Sequence, residues 1–126
     1  MADGSGNGKE IVKGVLDAFN DRAWDKIPEL YSPEYVNHNA PPGLAGDRDG
    51  QLAAMQGLCE AIPDANVEAT HVIAEGELVM VRDILRGKQE GPMGDAPATG
   101  EPVEMQFIHL YRIVDGQIVE RWGLVG

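Results

Sequence analysis

Hydrophobic positions along the chain change period after Pro63: apolar residues recur every three or four places before it and every second place after it. Ile11, Val12, Val15, Leu16 and Phe19 predict an amphipathic helix from about Lys9 to Asp21. Trp24, Ile27 and Tyr31 continue the helical spacing, but Pro28 limits this second helix to two turns at most. Ser32-Pro33 ends it, because the residue before a proline is pushed towards extended backbone. Tyr35 to His38 then reads as a short extended piece, followed by a loop from Asn39 to Gly46. Asp47 or Gly46 caps a third helix, whose apolar face is Leu52, Met55, Leu58 with Cys59, and Ile62.

Beyond Pro63 the alternation predicts a strand from Val67 to Glu75, a turn at Gly76 and a partner strand from Leu78 to Gly87. Residues Lys88 to Pro102 are rich in glycine and proline and form a long loop, of the kind that often serves as a lid. Within it, Gly91-Pro92-Met93-Gly94-Asp95 is the segment that would close over a cavity. The stretch from Val103 to Gly126 is a long hairpin about Asp115-Gly116, the dipeptide of a type I′ turn. Val103, Met105, Phe107, His109, Tyr111 and Ile113 share one face of its first strand. The element order predicts an α+β fold with three N-terminal helices packed on a curved, mainly antiparallel sheet. We expect one domain over 9–126 after a disordered leader, 1–8, that lacks the basic start and apolar run of a signal peptide.

Composition narrows the partners. A net charge of −11 disfavours nucleic acid, which needs a cationic footprint, and anionic membrane surfaces. No apolar run approaches the ~20 residues of a membrane span. Cys59 is the only cysteine, which excludes an internal disulfide or a cysteine metal cluster and fits a reducing, cytoplasmic setting. No phosphate loop, dinucleotide fingerprint or Gly-x-Ser-x-Gly motif is present, and no cofactor is expected. The spacing of His38, His71 and His109 does not suggest a metal site.

Two polar residues interrupt apolar faces. Asp83 shares strand parity with Val79, Val81 and Leu85, where desolvation would raise its pKa into the range of a neutral-pH acid or base. The structural alternative is an ion pair with an arginine such as Arg121. His109 lies between Phe107 and Tyr111, where it is either a hydrogen-bonded core residue or an acid/base group titrating near neutrality. Facing one another across adjacent strands, the two would form an Asp-His dyad. Tyr35 and Asn37 point to one side of their strand and can position a substrate or water, or else serve turn chemistry. Trp24 and Trp122 are expected in the core, although Trp24, like Met105 and Phe107, is also a candidate to line an apolar pocket.

Taken in order, several stretches resemble the SnoaL-like polyketide cyclase family, within the nuclear-transport-factor-2-like superfamily. They are Tyr35-x-x-His38 between helices, Asp64-Ala65-Asn66-Val67 before the Ile73-Ala74-Glu75-Gly76 turn, and the Tyr111-to-Trp122 segment YRIVDGQIVERW. The resemblance covers Lys9 to Val125. It implies a cone-shaped α+β barrel enclosing a pocket, a homodimer through the sheet face and a small hydrophobic ligand. It also implies proton abstraction α to a carbonyl followed by intramolecular aldol closure. His109 matches the family's pocket histidine, whereas the catalytic aspartate that follows the last tryptophan is replaced by Gly123. A partial likeness to limonene-epoxide-hydrolase-like members rests on Tyr35-x-Asn37 and Asp83, with Val81 where their arginine would stand.

These readings predict a cofactor-free acid/base enzyme of cyclase, isomerase or hydrolase type. Asp83 and His109 would be catalytic, and Tyr35, Asn37, Trp24, Met105, Phe107 and Gly123 would contact substrate. The alternatives are a ligand-binding protein without catalysis, epoxide opening by water held on Asp83, Tyr35 and Asn37, and an interaction module using only the sheet face.

Overall fold

A computed structural model of the protein describes residues 5–40, 43–93 and 96–125. Pro41-Pro42, Gly94-Asp95 of the expected lid and residues 1–4 of the expected leader lie outside the described residues. Helix α1 (Ser5–Asn20) starts four residues before the predicted boundary and buries Val12, Val15, Ala18 and Phe19. Helix α2 (Arg48–Ala61) starts where the sequence places it, the Asp47 carboxylate accepting a hydrogen bond from the Gly50 amide.

The predicted second helix is not one. A single 3-10 turn, Ile27–Leu30, stands there, so two α-helices rather than three cover the sheet. Tyr31 leaves the helical period because its backbone is extended and pairs with Ile118 in a strand, β1 (Tyr31–Asn37). Ser32-Pro33 enforces that choice.

The remaining strands are β2 (Asn66–Glu75), β3 (Leu78–Lys88), β4 (Pro102–Val114) and β5 (Gln117–Val125). They form one sheet in the order β1-β5-β4-β3-β2, antiparallel except where edge strand β1 runs parallel to β5. β1 and β2 stand at opposite edges, so the strands alone do not close a barrel, and the helices complete the enclosure. The β4–β5 hairpin turns at Asp115 (φ 53°) and Gly116 (φ 78°), the two positive dihedrals that a type I′ turn requires.

One irregularity governs the site. Arg112 pairs with Glu120 but the next residue, Ile113, pairs with Ile118, so Val119 is an extra residue, a β-bulge. Ile118 is fully buried under strict counting, and the bulge then turns Glu120 and Trp122 outward and Arg121 inward. Trp122 is therefore not in the core as expected: it is 36% exposed on the outer face and stacks on His38, ring centroids 4.9 Å apart. That face also leaves Val36, Ile73, Met80 and Ile108 exposed.

Inside, β3 and β4 meet α1 in a core of Val12, Val15, Val79, Val81, Tyr111 and Ile113. A second cluster, Phe19, Ala61, Ile62, Ala65, Val67 and Leu85, joins the C-terminal ends of both helices to β2 and β3. Between these clusters, on the covered face of the sheet, lies a cavity. No helix among the described residues is long and apolar enough to cross a membrane.

Candidate functional site

The cavity measures about 620 Å³ and lies between β3, β4 and β5 and the two helices. Asp83, His109, Met105, Phe107 and Gly123 line it, five of the eight residues singled out in the sequence. Val15, Phe19, Met55 and Leu58 supply apolar wall from the helices, and Pro92 and Met93 from the long loop. That loop is tied to the end of α2, the Glu90 and Gly91 amides both donating to the Ala61 carbonyl at 2.9 and 3.0 Å.

Trp24, Tyr35 and Asn37 do not line the cavity. Trp24 packs edge-on against Phe19, centroids 6.2 Å apart, as part of the core. Tyr35 and Asn37 do share one buried side, but they turn to Gln51 of α2. The Tyr35 hydroxyl donates to Gln51 Oε1 at 3.0 Å and Asn37 Nδ2 donates to the same oxygen at 3.5 Å. Of the three residues that epoxide opening would use, Asp83 lines the cavity while Tyr35 and Asn37 are engaged by Gln51.

Asp83 is only 2% exposed and His109 8%. They are not direct cross-strand partners, since Asp83 opposes Phe107 and His109 opposes Val81. The diagonal brings His109 Nε2 to 3.8 Å from Asp83 Oδ2, too long for a hydrogen bond and close enough for both to reach one substrate group. Phe107 stacks near the imidazole at 5.5 Å and Tyr111 tilts against it at 5.6 Å, so the ring is held and dried by its neighbours on the strand.

The residue that sets the chemistry of both is Arg121, which the bulge brings inward. Its Nε donates to His109 Nδ1 at 3.1 Å, and its Nη1 donates to Gln51 Oε1 at 3.1 Å. Because Nδ1 accepts, the imidazole carries its proton on Nε2, facing Asp83 and the cavity. Burial, and then the Arg121 cation, lower the His109 pKa to about 3, so the ring is neutral rather than poised near neutrality as the sequence suggested. Burial raises Asp83 to about 6, with Arg121 pulling in the opposite direction. Thus Asp83 is the group that titrates near neutral pH.

Gly123 sits beside this cluster. A Cβ there would lie 3.1 Å from both Arg121 Nη2 and His109 Nδ1, so the glycine keeps that flank of the guanidinium open to the cavity. Its amide donates to Asn39 Oδ1 at 2.9 Å. The other histidines stand apart: His38 bonds Glu120 on the outer face at 2.9 Å, and His71 is exposed beside Thr70. Among the described residues no group of three His, Cys, Asp or Glu side chains is placed to hold a metal.

Sequence reasoning did not single out Gln51 as a site residue and weighed Arg121 only as an ion-pair partner. Gln51 carried a usable signal, being the one polar residue on the stripe it shares with Met55, Leu58 and Ile62. Arg121 did not, since strict alternation from Ile118 puts it outside.

With this two-layer α+β fold and a cavity under its final hairpin, the chain belongs to the SnoaL-like polyketide cyclase family, whose profile matches residues 9–125. Among its relatives, the aklanonic acid methyl ester cyclase DnrD of Streptomyces peucetius is 32% identical over 113 residues, covering 86% of this chain and 77% of the relative. The nogalonic acid methyl ester cyclase of Streptomyces nogalater is 30% identical over 109 residues, 82% of this chain and 79% of the relative. The crystal structure of wild-type IdmH from Streptomyces antibioticus superposes with a TM-score of 0.81 at 31% identity, covering 94% of this chain and 91% of that one.

Proposed function

We propose that this protein is a cofactor-free cyclase acting on a small hydrophobic carbonyl compound, with Asp83 as the base. The observation that carries the reading is the arrangement of one dried carboxylate and one neutral imidazole proton, 3.8 Å apart, on the wall of an apolar cavity. The Asp83 carboxylate takes a proton from the carbon α to a carbonyl. The His109 Nε2–H hydrogen-bonds the oxygen on which the enolate charge develops. The α carbon then adds to a second carbonyl of the same molecule, forming the ring bond. The new alkoxide recovers the proton from Asp83, and no group is lost.

The family's aspartate is absent at position 123, and this reading moves the base to β3, on the same cavity wall. Support for the substrate class comes from the relatives, which are named for methyl esters of aklanonic and nogalonic acids. The test is to incubate the full chain with each of those esters and follow the cyclised product by chromatography. Wild type should give product above the uncatalysed rate, and Asp83→Asn should lose about 10²-fold or more. A second reading, a binding protein without catalysis, is favoured by Gly123. Tight binding of the esters with no product would decide for it.

A further inference from the structure

We infer that Arg121 and Gly123 form an anion-binding subsite inside the cavity, which takes a carboxylate or acidic enol oxygen carried on the apolar ring system of the substrate. Arg121 is anchored by two of its three nitrogens, Nε to His109 and Nη1 to Gln51. Its Nη2 makes no hydrogen bond or ion pair among the described residues. By contrast, Arg86 and Arg112, on the outer face, each hold a glutamate. A guanidinium fixed on one side, half-buried and lacking a carboxylate on the other is a preorganised anion receptor.

Gly123 supplies the opening. Any side chain there would begin 3.1 Å from Nη2 and 3.3 Å from Nε, closing the flank that faces the cavity. Both residues line that cavity, and the walls beyond them, including Phe107, Met55 and Leu58, are apolar. An anionic group attached to a ring therefore meets its one cation while the ring meets hydrophobic wall.

The inference rests on the cavity being the substrate site but not on Asp83 acting as base, so binding and turnover separate the two. Binding of 2-naphthoate and of methyl 2-naphthoate, which differ only in charge at the ring substituent, is measured calorimetrically on the full chain at about pH 8. Naphthoate should bind about tenfold tighter or more, the ordinary gain from a charge-assisted hydrogen bond. Arg121→Gln should bring the two affinities together. Gly123→Asp should do the same while retaining Arg121, because the new carboxylate occupies the subsite. Melting curves report whether each variant folds, and Gly123→Asp decides the matter if Arg121→Gln does not. Equal affinities in wild type, no binding of naphthoate, or a preference that survives in the folded variants overturns the subsite. A preference present without any cyclised product leaves the subsite standing and removes the base.

Discussion

A histidine, a carboxylate and an arginine meet twice around the final hairpin, once on each face of the sheet. Outside, His38, Glu120 and Arg112 meet at short range, Glu120 accepting from Arg112 Nε at 2.6 Å and contacting His38 at 2.9 Å. Inside, His109, Asp83 and Arg121 meet across 3.1 and 3.8 Å in a cavity. In the outer set water screens the charges, and its hydrogen bonds to His38 and Arg112 hold the Glu120 pKa below the usual carboxylate value. In the inner set burial dominates, pushing Asp83 up to about 6 and His109 down to about 3. Residue identity does not separate a structural ion cluster from a chemical one. Burial and incomplete pairing do.

Three experiments press on that contrast. The largest effect falls on the histidines: His109→Gln should lower turnover of the cyclised ester about 10²-fold, whereas His38→Gln should leave it nearly unchanged. Equal losses in both variants would erase the distinction between the faces.

A smaller effect concerns pH. The ratio kcat/KM should rise as Asp83 loses its proton near pH 6, then stay level, since His109 is already neutral there. Removing the Arg121 cation, which lowers the Asp83 pKa, should move that rise to higher pH in Arg121→Gln, and a limb that stays in place would show that Arg121 does not act on Asp83.

The smallest effect is on stability. The folded pKa of Asp83 lies above its ordinary value of 3.8, so the fold favours the neutral carboxyl. Its stabilising contribution is complete below about pH 4 and is lost as pH rises through about 6. Asp83→Asn should thus be more stable than wild type at about pH 8, by on the order of 1–2 kcal/mol, with the gap closing at about pH 4. Paired thermal melts at the two pH values read this directly, and a variant less stable at both would refute the buried-charge account.

Much of this architecture was legible in the sequence because periodicity reports burial. Alternation exposed Asp83 and His109 as polar residues on apolar faces, and the Asp115-Gly116 turn fixed the hairpin. The second helix was misread because Trp24, Ile27 and Tyr31 satisfy a helical spacing even though a single turn and a strand share them. Trp24 was a pocket candidate by residue type alone, and its place was settled by edge-on contact with Phe19. Arg121 and Trp122 exchanged faces because no residue pattern announces the extra residue at Val119.

That extra residue has a consequence for how such a site changes over time. Glu120 and Arg121 are neighbours of opposite charge, and the strand shows one to water and the other to the cavity. Which is which depends on how Val119 is accommodated: deleting it would restore even alternation with the guanidinium still inward, whereas pairing it regularly in the ladder would offer the carboxylate inward in place of the guanidinium. The sign of the cavity wall is therefore stored in the bulge at Val119. A lineage can reverse it by a change that straightens the strand at Val119, without substituting either charged residue.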